Sequence, residues 1–107
     1  MDKYILVAQR LEEIRSELEK LGLWNVERPD DEAFTSDIPF NMNTMEFHEW
    51  LRFVMIETFN TVLENRAPLP QNVKIFPYAT EVYRNRIGEY KGLLKAIYNF
   101  DLVFEQR

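Results

Sequence analysis

Three stretches of this chain place apolar residues at every third or fourth position, and all five prolines fall outside them. A proline within a helix removes a backbone donor and clashes with the preceding turn, at a cost of about 3 kcal/mol or more. Pro29, Pro39, Pro68, Pro70 and Pro77 therefore divide the chain into helices and the segments that join them.

In the first stretch Tyr4, Val7, Leu11, Ile14, Leu18 and Leu21 step by three and four, with Glu12, Glu13, Arg15, Glu17 and Glu19 in the gaps. This is the pattern of an amphipathic helix. Gly22 is placed to end it, because glycine enters the left-handed C-terminal cap without a Cβ clash. Residues 23–43 form a long connection with one helical turn after Asp30, and Trp24, Phe34 and Phe40 are available to pack it down. A second helix is expected from Asn43 to about Asn65. Asn43 would cap it with Glu46 bonding back, and Met42 would pack on Phe47. Its apolar residues, from Phe47 through Trp50, Leu51 and Phe53–Ile56 to Leu63, fill more than one stripe, which makes it the central helix.

Residues 66–77 hold three prolines and read as an ordered loop, the alternation of Val73 and Ile75 being too short for a strand. From Tyr78 the helical spacing returns through Ala79, Val82, Tyr83, Ile87, Tyr90, Leu94, Ile97 and Phe104, with a break at Asn85 and Gly88. That gives a short third helix and a longer fourth. Gly92 lies inside the fourth, where it costs about 1 kcal/mol relative to alanine, so a close backbone contact is expected there. The expected fold is all-α: one domain over residues 1–107, a small bundle of three long helices and one short, with long packed loops and no sheet. A chain of 107 residues, 46 % hydrophobic and with fifteen aromatic side chains, has the material for such a core without cross-links, and it has no cysteine to make any.

The same residues exclude much chemistry. The run His48-Glu49-Trp50-Leu51-Arg52 begins like a zinc-protease helix, but Arg52 stands where the second histidine is required. With one histidine and no cysteine no nitrogen or sulfur ligand set can be assembled, and no metal or cofactor is expected. Asp30-Asp31-Glu32 lacks the alternating ligands and glycine of a calcium loop. Ser16 and Ser36, the only serines, stand in no nucleophile elbow, and the three glycines form no phosphate-binding spacing. No apolar run approaches the roughly 20 residues that span a bilayer, and Met1-Asp2-Lys3-Tyr4 leads directly into charged amphipathic sequence. The expectation is a cytoplasmic protein without membrane contact.

Charge is unevenly spread. Residues 27–49 carry seven acids and one base, while residues 66–95 carry six bases and two acids. Arg84, Lys91 and Lys95, seven and four apart, would share a face if the chain stayed helical through Gly88, with Tyr83 and Tyr98 nearby for stacking: an RNA-contact face. A small-ligand or enzymatic reading would use Glu46, Glu49 and Arg52 as a polar rim around Trp50.

Pro39-Phe40, Met42, Thr44-Met45-Glu46, Glu49-Trp50-Leu51 and Val54, followed by Pro68-Leu69-Pro70 and Pro77-Tyr78, resemble the signature of the YqcC-like family of small all-helical bacterial proteins. The resemblance covers nearly the whole chain and is most specific over residues 39–78. The family carries a label linking it to tRNA pseudouridine synthase C. Such a synthase needs a sheet-based catalytic domain with an active-site aspartate, so the resemblance implies association and not that activity. The reading that follows is a non-enzymatic helical accessory protein that assists tRNA modification by contact with a pseudouridine synthase. Its partner surface would comprise Phe40, Met42, Thr44, Glu46, Glu49 and Trp50, facing a basic protein with Phe40 and Trp50 as anchors.

Overall fold

The computed structural model describes residues 2–105, and no strand occurs among them. Helix α1 spans Lys3–Lys20. The Asp2 carboxylate caps it by accepting from the Tyr4 N–H at 2.8 Å. At its other end Gly22 takes φ +73°, and the Leu23 N–H closes on the Leu18 carbonyl at 2.8 Å. Val7, Leu11, Ile14 and Leu18 are buried, so the stepping pattern of the sequence is the core stripe of this helix.

Helix α2 runs through residues 47–64 in three segments: an α-helical turn Phe47–Trp50, a π-helical turn Leu51–Met55 and an α-helix Ile56–Glu64. It begins later than the Asn43 start signal implied. Asn43 is otherwise engaged, its Oδ1 accepting from Ser36 Oγ at 2.6 Å. Asn41 Nδ2 and Thr44 Oγ1 both donate to the Ala33 carbonyl, at 3.0 and 2.7 Å, which ties the segment to the preceding loop. Glu46 becomes the cap residue, with its N–H donating to Glu49 Oε1 at 2.8 Å. Met42 does not pack as a staple: it is 49 % exposed, and Met45 is buried in its stead. The π turn, closed by the Ile56 N–H on the Leu51 carbonyl, is not implied by the spacing; Leu51, Phe53 and Met55 are buried within it, and Ile56 and Phe59 after it.

Helix α3, Phe76–Val82, starts two residues before the expected Tyr78, with Pro77 in its first turn, where a missing N–H costs nothing. It has no cap of its own. Instead Asp101, from the end of α4, accepts from the Ile75 and Phe76 N–H groups through Oδ2, both at 2.8 Å. Turns over residues 83–90 separate α3 from α4, Lys91–Val103. The break expected at Asn85 and Gly88 is present.

Helix α4 packs most extensively on α1. A Cβ at Gly92 would meet the Glu17 carboxylate of α1, the mobile end of a side chain, and no backbone atom lies close, so the expected close backbone contact is not present. The first turn of α4 contains no acid, and Glu17 supplies a negative charge beside its positive end. Val7, Ile14, Leu18, Leu51, Leu93, Ile97 and Phe100 are fully buried between α1, α2 and α4. Two single-turn 3-10 helices, Asp31–Thr35 and Pro39–Asn41, fold the long connection onto this bundle.

Candidate functional site

The connection after α1 ends in a backbone feature that aims one ring. Phe40 has φ 60° and ψ 14°, and Asn41 has φ 49°, so two consecutive side-chain-bearing residues occupy the left-handed region. For residues other than glycine that conformation costs roughly 1–2 kcal/mol, and something must offset it. The Phe40 ring stacks on Tyr78 of α3 at 4.3 Å and 14°, and meets Trp50 of α2 edge-on at 4.8 Å. Phe47 touches Trp50, Tyr78 and Tyr83, and Tyr83 stacks on Tyr90 at 3.9 Å. Six rings thus run from the loop to the foot of α4. Burial raises the pKa of Tyr83 and, less strongly, that of Tyr78, with the Glu46 carboxylate adding to both, so these phenols stay neutral.

Of the residues expected to bind a partner, Phe40 and Trp50 form the half-buried shoulder of this cluster. Thr44 is engaged with the Ala33 carbonyl, and Glu49 with the Glu46 N–H. Met42 is 49 % exposed and Ile38 40 % exposed, while Glu46, also exposed, is held in a capping box with Glu49 at the start of α2. Asp30, Glu32 and Asp37 are exposed in the same connection. The surface is an aromatic ledge with two free apolar side chains and an acidic margin. Ile38 was not singled out from the sequence, since one isoleucine before a proline carries no periodic signal.

The polar rim of Glu46, Glu49 and Arg52 does not form. Trp50 and Arg52, two positions apart, lie on different sides of the helix: Arg52 Nε donates to the Trp24 carbonyl at 2.6 Å, and its guanidinium lies 4.1 Å from the Trp24 ring and 4.6 Å from Phe53. Two clefts lie elsewhere. One of about 270 Å³ is lined by Arg15, Trp24 and Asn60 among others. A larger one, about 400 Å³, opens between the start of α3 and the end of α4 beside Lys74, Phe76, Tyr98, Asp101 and Leu102. Asp101 Oδ1 is buried there without a hydrogen-bond partner. Desolvation raises the pKa of Asp101, against the opposing pull of the Phe76 and Ile75 N–H groups and Lys74.

The expected basic stripe is also altered. The chain does not stay helical through Gly88, so Arg84 stands in the turn before α4 and pairs with Glu81 at 3.1 Å, while Lys91 and Lys95 share an exposed face of α4. Among the described residues no three metal-ligating side chains gather, and no helix is long and apolar enough to cross a membrane.

Against known proteins, residues 6–103 match the family described as tRNA pseudouridine synthase C, and the chain belongs to that family. An uncharacterized protein of Haemophilus influenzae is 37 % identical over 86 residues, 80 % of each chain. The solution structure of the protein YqcC from Escherichia coli superimposes with a TM-score of 0.84 at 28 % identity, covering 97 % of this chain and 89 % of that one. A protein of Pectobacterium carotovorum named tRNA pseudouridine synthase C is 35 % identical over 66 residues, which are 62 % of this chain and 18 % of that protein. The YqcC-like resemblance and the all-helical fold both hold.

Proposed function

We propose that this protein is a non-enzymatic accessory domain that assists tRNA modification in the cytoplasm by docking on a pseudouridine synthase. One observation carries the reading: in the Pectobacterium protein named tRNA pseudouridine synthase C, a segment similar to 62 % of this chain takes up 18 % of the length, beside a far longer remainder of the same polypeptide. Joining two modules in one chain raises the effective concentration of each for the other. The helical domain itself offers little for catalysis, since Glu46 and Glu49 cap the start of α2 together and Arg52 is held on the Trp24 carbonyl.

The contact surface in this reading is the ledge formed by Phe40, Met42, Thr44, Glu46, Glu49 and Trp50, extended by Ile38. Half-buried rings already held in place lose little entropy on docking, and the acidic margin selects a basic partner surface. The test is a titration of the synthase of the same organism with this protein. Met42→Glu places a charge in the exposed apolar patch without touching the fold, and it is expected to weaken binding at least tenfold; Glu46→Lys is expected to slow association and flatten its salt dependence. Absence of binding to the synthase at micromolar concentration, with tRNA modification unchanged in a deletion strain, overturns the reading.

A further inference from the structure

Among the described residues every arginine is committed: six hold a carboxylate, and Arg52 holds a backbone carbonyl. The lysines divide differently. Lys20 pairs with Glu17 and Lys3 lies over the Phe104 ring; Lys74 acts through its charge on the Asp101 carboxylate, and Lys91 and Lys95 have no ion-pair partner among the described residues. These three border one surface. Lys91, Lys95, Tyr98 and Leu102 recur at intervals of four, three and four along α4 and are all exposed, so they form one continuous stripe about 16 Å long. Buried Leu93, Leu94, Ala96, Ile97 and Phe100 hold the opposite face in the core, and among the described residues the stripe stays exposed. At its lower end Tyr98, 47 % exposed, meets the Phe76 ring edge-on at 5.1 Å, beside the cleft of about 400 Å³ that Lys74 also lines.

Two unpaired cations, then an exposed ring whose back is already fixed by a second ring, at the mouth of a cleft lined by Lys74 as well as by Asp101 and Glu105, is an arrangement that can take a single-stranded nucleic acid along the outer face of the helix. Lysines neutralise successive phosphates, and an exposed aromatic face stacks a base whatever its identity. We propose that the outer face of α4 binds single-stranded RNA, with Lys91, Lys95 and Lys74 on phosphates and Tyr98 stacking a base at the mouth of the cleft. The protein as a whole is acidic, and the stripe lies on α4, outside the acidic segment of residues 27–49, so binding is local to this face. This inference does not depend on docking to a synthase, though a contact to RNA beside a protein contact would let one small domain hold enzyme and substrate together.

The experiment uses the full chain and a fluorescein-labelled single-stranded RNA of about 12 nucleotides, followed by anisotropy at about 50 mM salt and upward. Binding is expected in the micromolar range, with log K falling on log salt with a slope of about −2, as three phosphate contacts to a single strand require. Tyr98→Ala should weaken binding about tenfold at an unchanged salt slope, because stacking is lost and the charges remain. Lys91→Glu with Lys95→Glu should abolish it; an acid in the first turn of α4 favours the helix, so the thermal transition checks that this variant is folded. Arg84→Glu should leave the affinity within about twofold, since Arg84 is already paired with Glu81. No binding at low salt, or equal binding by the double lysine variant, overturns the proposal. Tighter binding of an oligoglutamate peptide than of the RNA also overturns it and assigns the face to an acidic protein segment. Either result leaves docking on a synthase standing.

Discussion

Phe100 and Phe40 are the same residue type, each in contact with other rings, in two regions held together differently. Phe100 is fully buried on a regular helix, edge-on to Phe59 at 5.1 Å in the seam between α1, α2 and α4. Phe40 is half-buried at a backbone φ of 60°, and its ring reaches Tyr78 and Trp50 only because the chain bends there. In the seam, helical periodicity and burial agree, so local preference and tertiary packing reinforce each other. On the ledge they disagree, and the backbone cost is offset by ring contacts. A region built that way keeps apolar side chains at the surface, where a partner can use them.

Large-to-small substitutions should separate the two regions most sharply. Phe100→Ala is expected to cost about 3–5 kcal/mol in denaturant unfolding, as a cavity in a core seam does, whereas Trp50→Ala on the half-buried ledge should cost about 2 kcal/mol or less. Equal losses would mean that the ledge is simply more core. A smaller effect tests the backbone directly. Both Phe40→Ala and Phe40→Gly delete the ring, but only glycine accepts φ 60° freely. After allowing for its greater freedom in the unfolded chain, the glycine variant should be the more stable by about 0.5–1 kcal/mol. Should alanine be better at this position, the bend at Phe40 is not what holds the ring.

The smallest effect is a pH dependence linking the regions through Asp101, which belongs to α4 but caps α3. Burial raises its pKa in the folded state, so the folded protein binds this proton more readily than the unfolded chain does. Its contribution is complete below the unfolded value near 3.8 and declines as pH rises through the folded pKa. Asp2, whose pKa is lowered by the Tyr4 N–H, acts in the opposite sense, and its contribution is lost as pH falls. Asp101→Asn keeps an oxygen for the two N–H groups and removes the proton, so the melting temperature should lose the part of its decline that lies just above about pH 4. Superimposable melting profiles of the variant and the wild-type protein would show that the carboxylate is not felt in the fold.

The seam was legible because α1 and α4 display their interiors as spacing: Val7, Leu11, Ile14 and Leu18 are both the periodic residues and the buried ones. Gly92 misled: the backbone contact it suggested is absent, and only the end of the Glu17 side chain lies near it. The ledge was legible in composition and not in geometry. Phe40 and Trp50 stood out as boundary aromatics, but Asn43 carried the look of a helix cap, and only the bonds of Asn41 and Thr44 to the Ala33 carbonyl explain why the helix starts at Phe47. The basic face was half legible: Lys91 and Lys95 lie as their spacing implied, while Arg84 is separated from them by the break that Gly88 announced.

The sequence by itself determined the all-helical class, the number of helices and the principal buried faces, because periodicity, capping glycine and proline placement are local properties that each segment carries whatever surrounds it. Tertiary structure alone decided the seat of Arg52 on the Trp24 carbonyl, the left-handed bend that brings Phe40 to Tyr78, and the cap that Asp101 lends to α3. Each of these joins residues at least 25 positions apart, and no local preference encodes an interaction whose partner is so distant in the chain.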